Sequence, residues 1–411
     1  MEKKNPPVGG KASPVWAELD AFMREQIQGR FQELLEAEVT EWLGRPKSVR
    51  RAAPQGGYRN GHGKPRTLTL GGGTITVRRP RVRGLEARFE SQLLPFFKRR
   101  TEAVSALLPE LYLHGLAQRD FTLALRGLLG DQAPVSASTV ARLTASWQAQ
   151  YDEWSQRRLE DLDVVYCWAD GLYVKAGLER AKAALLVVVG ALTDGRKVVL
   201  AVTSGEREST ASWSAVLRDL KRRGLRGPRL LIADGHLGIW GAVREIYPEA
   251  AEQRCWNHRI VNVLDAVARK DQPVVAAALR RLMYAPTRAA AERERQRFAQ
   301  QYRARAPKAV ARLEVEWDRL VSYDAFPSAH WIHLRTTNVI ESPFHAVRLR
   351  TTAAKRFQRT ERATAIIWKL LLVAERTFRR LNAPHLLPQL LRTAHYLEDD
   401  VITKETRRLA A

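Results

Sequence analysis

The chain has 411 residues, enough for two or three domains with at least one sizeable hydrophobic core. Lysine and arginine total 68 against 44 aspartate and glutamate residues, so the net charge of +24 predicts a polyanionic partner such as DNA, RNA or an anionic membrane. The membrane is disfavoured because the most apolar stretch, Ala183 to Leu192, is about half a span, and the two cysteines exclude a disulfide framework and fit a reducing cytosol.

The N-terminal region is predicted to contain a tail and one long helix. Residues 1–14 are rich in Lys, Pro, Gly and Ser and have little to bury, which predicts disorder. From Val15 to Leu43 apolar residues recur at helical spacing. This amphipathic helix is expected to pack on its own domain or on a second protomer, so residues 15–50 are a candidate dimerisation segment.

A basic β-hairpin is predicted next, within residues 51–100. Two short β-branched runs, Thr67–Leu70 and Thr74–Pro80, are separated by Gly71–Gly73, the pattern of a hairpin turn. Seven basic side chains on one small ribbon suit phosphate contacts, although a solvated surface face explains them equally well. They are Arg59, Lys64, Arg66, Arg78, Arg79, Arg81 and Arg83.

Residues 101–158 have the pattern of a helix-turn-helix DNA reader. Three helices are predicted, at 104–113, 115–129 and 136–147. The third begins with capping serines, and Ser138, Thr139 and Arg142 lie near its start, where recognition helices contact bases. The pattern is common in small helical domains, and the strongly basic composition is what favours a DNA-binding role.

After Leu159 the pattern changes to strands, which predicts a mixed sheet covered by helices. The predicted strands are 163–170, 183–192, 196–203 and 229–234, with a helix at 212–223 before the last strand. From His258 to about residue 330 the sequence is helical and rich in Ala and Arg, which predicts an all-helical insertion.

Two aspartates, Asp170 and Asp234, end apolar strands and are each followed by glycine. Asp-Gly is usually a turn signal, but two such acids on neighbouring strands would repel each other. A hard divalent cation is the natural compensation, and the separation of 234 − 170 = 64 residues leaves room for them to converge. A third acid, Glu341, is isolated in an Arg-rich helix, where its spacing alone fits a surface salt bridge.

The order of several motifs resembles a known family, the Mutator-type bacterial insertion-sequence transposases. The resemblance covers roughly residues 55–385, and its elements follow one another at plausible spacings. They are Tyr58-Arg-Asn-Gly, Val77-Arg-Arg-Pro-Arg-Val-Arg, Asp170-Gly-Leu-Tyr, Arg207-Glu-Ser, Ala233-Asp-Gly-His-Leu-Gly, Gln253-Arg-Cys-Trp-Asn-His and Arg335-Thr-Thr-Asn-Val-Ile-Glu-Ser-Pro-Phe.

This resemblance implies a multidomain α/β protein with a ribonuclease H-like catalytic domain built on a mixed five-stranded sheet. It also implies that Asp170, Asp234 and Glu341 are the catalytic acids and ligate two Mg²⁺ (or Mn²⁺) ions, and that the 341 − 234 = 107 residues between the last two hold the all-α insertion. The division predicted is 1–14 tail, 15–50 helix, 51–100 hairpin module, 101–158 helix-turn-helix-like domain, 159–257 with 331–381 catalytic domain, 258–330 insertion and 382–411 C-terminal tail.

The Cys255-Trp-Asn-His258 segment matches an element that the family has after its second acid. Zinc is one interpretation, but a structural zinc site needs four ligands and there is no second Cys pair. Packing, or a contact to the active site or DNA, is favoured instead, so Cys255, His258 and Asn338 are predicted to support the active site.

The function implied is metal-dependent strand cleavage and strand transfer at the terminal inverted repeats, by a copy-out, paste-in route. We expect double-stranded DNA as partner, a homodimer on paired ends, no membrane association and a cytoplasmic, nucleoid-associated bacterial protein. Arg335, Arg348 and Arg350 join the hairpin and helical residues as predicted DNA contacts. A non-catalytic DNA-binding regulator or transposase relic, and a ribonuclease H-like nuclease without strand transfer, remain the alternatives.

Overall fold

The structure is a computed structural model, and it groups the chain into two compact units, Met1–Leu143 and Thr144–Ala411. It describes residues 18–49, 57–95, 98–113, 124–126, 129, 137–176, 182–205, 207–235, 237–354, 357, 359–391, 395–397 and 400–402.

The first unit combines one long helix with two small antiparallel ribbons. Helix α1 spans Leu19–Leu43 and α2 spans Glu102–Leu113. Strand β2 (Arg66–Leu70) pairs with β3 (Gly73–Val77), which confirms the predicted hairpin. Strand β1 (Tyr58–His62) pairs with β4 (Pro80–Arg83), a ribbon the sequence did not predict because residues 56–65 have the composition of a turn.

Helix α1 packs on the ribbons, which is one of the two arrangements expected for it. Leu35 and Val39 on its inner face are completely buried, and Leu35 lies in one hydrophobic cluster with Ile75 and Val77 of β3. The Gln32 side chain also bonds both backbone groups of Arg78, donating to its carbonyl and accepting from its N–H at 2.9 Å each. The helix therefore satisfies polar backbone at the end of the hairpin as well as covering its apolar face.

Helix α3, Ala137–Gln156, contains the boundary between the units. It corresponds to the third predicted helix and is longer than the sequence indicated. The second predicted helix lies mostly outside the described residues, as do the side chains of Ser138 and Thr139.

The second unit is a mixed α/β structure around a five-stranded sheet in the order β7-β6-β5-β8-β9. Strands β5, β6 and β7 form an antiparallel meander, whereas β5, β8 and β9 are parallel. The predicted mixed sheet is thus confirmed. The strands are β5 Val164–Lys175, β6 Lys182–Leu192, β7 Lys197–Gly205, β8 Leu230–Ala233 and β9 Ala251–Arg254.

Helices α4 (Thr210–Arg222) and α5 (Leu237–Ile246) cover one face of this sheet. Trp213, Leu217 and Trp240 are at most 1% exposed there, and each large apolar side chain buried in this way contributes roughly 1.5–3 kcal/mol. Helix α4 begins where Ser209 accepts a hydrogen bond from the Ser212 N–H, a standard N-cap. The spacing of apolar residues had predicted this helix within two residues.

The rest of the described chain is mainly helical, which confirms the predicted helical segment after β9. Its last short ribbon pairs β10 (His395–Leu397) with β11 (Asp400–Ile402). The helices are α6 Trp256–Leu264, α7 Gln272–Met283, α8 Arg288–Tyr302, α9 Pro307–Glu314, α10 Trp317–Leu320, α11 Trp331–Leu334, α12 Asn338–Ala354, α13 Thr360–Glu375 and α14 Leu387–Leu391, with 3₁₀ turns at Ser322–Ala325, Ser328–His330 and Pro384–Leu386.

Candidate active site

Three neighbouring parallel strands, β5, β8 and β9, are aligned at the level where β8 and β9 end, and this level positions the candidate site. Strand β5 continues to Lys175, so the prediction that Asp170 ends its strand is wrong. Ala169 of β5 lies opposite Ala233 of β8, and Ala233 lies opposite Arg254 of β9. The residues that follow these three in sequence are Asp170, Asp234 and Cys255. The Cys255 N–H donates to the Ala233 carbonyl at 2.7 Å. The two predicted aspartates therefore lie side by side at the carboxyl edge of the sheet.

Asp170 is held in a partly buried position where its negative charge is disfavoured. Its Oδ1 accepts a hydrogen bond of 2.8 Å from the Gly171 N–H. Burial, followed by the neighbouring charge of Asp234 and then by that of Glu341, raises the pKa of Asp170 to about 7. Close carboxylates in a partly desolvated edge resist simultaneous ionisation unless a cation joins them.

The turn after Asp234 requires glycine. Gly235 has a φ of +92°, a conformation that side chains with a Cβ rarely adopt. A Cβ at this position would also lie 2.3 Å from Arg254 Nε. The Asp-Gly pair is thus a tight turn and also presents an acid at the sheet edge.

Glu341 reaches the site from the first turn of α12, which packs against β5 and β6. The preceding segment is anchored to the sheet by side chains of β5. Tyr166 Oη lies 2.9 Å from His330 Nδ1, and Trp168 Nε1 donates to the His333 carbonyl at 3.0 Å. These bonds fix where α12 begins, and so where Glu341 lies relative to Asp170.

Thr337 links Glu341 to Cys255. Its Oγ1 lies 2.5 Å from Glu341 Oε1 and 3.2 Å from Cys255 Sγ, and its N–H donates to the same sulfur at 3.3 Å. A threonine hydroxyl has one proton to donate, and the carboxylate is the stronger and closer acceptor. Cys255, which is completely buried, therefore supports the Thr337–Glu341 pair through the hydrogen bond that its sulfur accepts from the Thr337 N–H.

His258 supplies positive charge beside these acids. Its Nδ1 lies 3.8 Å from Glu341 Oε1. Interaction with the Cys255 side chain, together with the charges of Glu341 and Asp170, raises the pKa of His258 to about 9. The imidazole is therefore protonated at neutral pH and offsets part of the negative charge of the acids.

The donor set fits a divalent metal ion. Carboxylate oxygens are the ligands preferred by Mg²⁺ and Mn²⁺, and the raised pKa of Asp170 shows a site where added positive charge would be stabilising. Cys255, His258 and Glu341 also bring ligand atoms within 4.8 Å of one another. That group is one ligand short of a structural zinc site, and Thr337 already bonds its sulfur.

Asn338 and the three downstream arginines occupy different environments. Asn338 is exposed and accepts a hydrogen bond from Asn257 Nδ2 at 2.9 Å. Arg335 is 8% exposed and Arg350 is 3% exposed, whereas Arg348 is exposed. The Arg335 guanidinium lies over three aromatic rings, at 5.2 Å from Tyr284, 4.9 Å from Tyr323 and 5.2 Å from Trp331.

In the first unit, basic side chains line a groove of about 500 Å³ beside the ribbons. Arg81 and Arg83 are exposed there, while Arg79 donates to the Phe89 carbonyl. Arg59 instead donates to Thr40 Oγ1 at 2.7 Å and lies 3.9 Å from Glu36. The basic residues lining the groove are Lys64, Arg66, Arg79, Arg81, Arg83, Arg88 and Arg99.

Sequence reasoning did not single out Thr337, Arg88 or Arg99. For Thr337 a signal was present, because a hydroxyl four residues before an acid lies one helical turn from it. For Arg88 and Arg99 there was none, since both come from irregular chain that the fold brings beside the ribbons.

Two neighbouring acids on parallel strands of a mixed α/β fold, in a chain of net charge +24, fit a protein that processes nucleic acids. The chain belongs to the Mutator family of transposases, whose model matches residues 9–380. It is 45% identical to the transposase of insertion sequence element IS6120 from Mycolicibacterium smegmatis over 284 residues, covering 69% of this chain and 88% of that protein.

Two further relatives are also transposases of insertion sequence elements. The transposase of element IST2 from Acidithiobacillus ferrooxidans is 38% identical, with 67% of this chain and 94% of that protein covered. The transposase of element ISRM5 from Rhizobium meliloti is 31% identical, with 88% and 89% covered. Among the helices of the described residues, none has the length and apolarity needed to cross a membrane.

Proposed function

We propose that this chain is a DNA transposase that cleaves and joins strands at the terminal inverted repeats of its own element. The observation that supports this most directly is the register Ala169–Ala233, which brings Asp170 and Asp234 together on adjacent parallel strands. Glu341, fixed by Thr337 and facing His258, completes an acid trio of the kind that phosphodiester chemistry requires.

The catalytic domain is proposed to be ribonuclease H-like. The support is the order of elements in the second unit: a three-stranded antiparallel meander, a helix, a parallel strand, a second helix and a further parallel strand. The all-helical stretch between β9 and α12 would then be an insertion between the second and third acids.

Asp170, Asp234 and Glu341 would hold two Mg²⁺ or Mn²⁺ ions. When bound, such ions lower the pKa of an attacking water or hydroxyl and neutralise charge on the phosphate and the leaving oxygen. In the first reaction a water oxygen attacks phosphorus at the element end and the bond to the 3′ oxygen breaks, which frees a 3′-hydroxyl. That hydroxyl then attacks a second phosphodiester and releases another 3′ oxygen, so no external energy source is needed.

The remaining residues would position DNA and the acids. Thr337 orients Glu341, and protonated His258 limits repulsion within the trio. The groove lined by Arg81 and Arg83 would bind phosphates, with α3 as the element that contacts bases. We further propose that two copies act together, because transposition joins two element ends.

The experiment is to incubate the full chain with labelled DNA carrying the inverted repeats that flank its gene, with Mg²⁺ or with a chelator. The proposal predicts cleaved 3′ ends and joined products that require the metal. Cleavage without joining would identify a nuclease, and binding without any product would identify a regulator or relic. Either result would overturn the proposed function.

A further inference from the structure

A fourth carboxylate, that of Glu208, lies beside the acid trio. Glu208 immediately precedes Ser209, the N-cap of α4, and is 7% exposed. Its side chain contacts the backbone directly after Asp170, because an added Cβ on Gly171 would lie 2.3 Å from both Glu208 Cδ and Oε1. Gly171 thus has two roles: its N–H holds Asp170, and its missing side chain leaves room for Glu208.

The backbone of Glu208 is held firmly by the start of α5. A Cβ on Gly238 would lie 3.0 Å from the Glu208 carbonyl oxygen and 2.7 Å from the Thr210 nitrogen. Such a close approach is possible only with glycine. Gly238 is the second residue of α5, so the Glu208 backbone lies against the start of the helix that follows Asp234 in sequence.

Tyr173 connects Glu208 to the neighbourhood of Asp234. Burial and the charge of Glu208 raise the pKa of the Tyr173 phenol, its hydrogen bond to the Glu208 side chain raises it further, and the charge of Asp234 contributes in the same direction. Tyr173 belongs to the part of β5 beyond the end of β8, where only β6 pairs with β5. Tyr173 therefore lies on the stretch of β5 that continues past the level of Asp234, and the Glu208 side chain lies against the same stretch at Gly171.

We infer that Glu208 is a further positioning residue of the metal centre, a fourth carboxylate that holds the water shell of a divalent ion bound by Asp170 and Asp234. This rests on the proposed function of the trio. Carboxylates next to primary ligands commonly bind the waters of an ion and fix its place. Glu208 has the burial, the fixed backbone and the position beside Asp170 for that role.

The test is Mn²⁺ binding to the purified full chain, measured by titration calorimetry and by the paramagnetic resonance signal of free Mn²⁺. Glu208→Gln keeps the shape of the side chain and is expected to weaken Mn²⁺ binding about 10- to 100-fold, the usual range for such residues. Tyr173→Phe is expected to weaken it less. The matched control is Glu249→Gln, an exposed glutamate after α5, with affinity expected to equal that of the unmodified chain.

A second comparison separates a metal role from a folding defect. Gly171→Ala is expected to displace the Glu208 carboxylate and weaken Mn²⁺ binding, while Gly171→Ala in a Glu208→Ala background should add no further loss. Unchanged Mn²⁺ affinity in Glu208→Gln, with reduced affinity in Asp170→Asn, would overturn this inference alone. Unchanged affinity in both variants would overturn the acid trio as well.

Discussion

Thr337 Oγ1 lies 2.5 Å from Glu341 Oε1, one helical turn away, and 3.2 Å from the buried sulfur of Cys255. The third acid of the site is thus held by a hydroxyl whose own position depends on the loop after β9. A short bond to a carboxylate restricts the rotamers that the glutamate can adopt. Thr337 consequently couples the Cys-x-x-His segment to the acids that we propose to be catalytic.

Removing this hydroxyl should impair chemistry while leaving DNA binding intact. Thr337→Val keeps the shape of the side chain but frees Glu341, so we expect a loss of about 10- to 100-fold in metal-dependent cleavage. Cleavage of labelled ends and gel-shift affinity are measured together. Thr337→Ser should retain most activity, and Thr351→Val is the control, because the Thr351 hydroxyl donates to the Arg348 carbonyl of the same helix. Equal cleavage by Thr337→Val and Thr351→Val would rule out this role.

Glu316 should be essential for the stability of the Cys-x-x-His region. Its carboxylate pairs with Arg254, Arg259 and Arg319, and its side chain is 14% exposed. Glu316→Gln leaves Arg254 and Arg259 without this charge partner, while Arg319 keeps Glu252, and should lower the free energy of unfolding by about 3 kcal/mol. Glu314→Gln is the matched control, since that side chain is 42% exposed and lies 3.5 Å from Arg303, and we expect less than about 1 kcal/mol. Equal denaturation midpoints for the two variants would contradict the assignment.

The buried His330 should make stability depend on pH. Burial lowers the pKa of His330 to about 4, from an unfolded value of 6.5, with its ring between Tyr166 and the Ala383 carbonyl. The folded state therefore favours the neutral ring. The neutral His330 ring stabilises the fold fully above pH 6.5. This stabilisation is lost as the pH falls from 6.5 towards 4, at up to about 1.4 kcal/mol per pH unit.

The measurement is the unfolding free energy of His330→Gln and the unmodified chain between pH 7 and pH 4.5. The variant should be less stable at pH 7, and the difference should shrink as the pH falls. His345→Gln, which alters an exposed ring, should keep the slope of the unmodified chain. A constant difference across this range would contradict a neutral buried His330.

Arg81 and Arg59 should respond differently to substitution, because Arg81 lines the basic groove of the first unit and Arg59 does not. Arg81 is exposed on β4, so Arg81→Ala should weaken binding to any DNA sequence and reduce the slope of log affinity against log salt by about 0.9. Arg59 is tied to Thr40 and Glu36, so Arg59→Ala should lower thermal stability and leave the salt slope unchanged. Filter binding across salt concentrations measures both. The reverse pattern would show that the groove is not the phosphate-binding surface.

The sequence predicted the strands carrying Asp170 and Asp234 because both contain continuous apolar runs, but it ended the first strand at Asp170, whereas β5 continues to Lys175 through its pairing with β6. It did not predict β9, since Ala251–Arg254 is short, mostly polar and paired along only one edge. Without β9, the position of Cys255 beside Ala233 could not be derived. The sequence also contained no sign that Glu341 approaches the two aspartates, because that approach depends on the packing of α12 against β5.

The arginines show a second limit of pattern reasoning. A run of basic residues predicts an exposed, phosphate-binding face, but tertiary packing decides which members are exposed. Arg335 lies among Tyr284, Tyr323 and Trp331. Tyr284 comes from a distant part of the sequence, and the fold brings it to the other two rings. Whether Arg335, Arg348 and Arg350 contact DNA stays a prediction.

The most direct test of the account compares two aspartates that occur in the same Asp-Gly context. Asp170→Asn removes a proposed metal ligand, whereas Asp194→Asn alters an exposed turn acid bound to Arg196. Mg²⁺-dependent cleavage of labelled inverted-repeat DNA should fall to background in Asp170→Asn, with end binding intact, and should persist in Asp194→Asn. Cleavage by Asp170→Asn at the rate of the unmodified chain would contradict the central claim that Asp170, Asp234 and Glu341 form the active site.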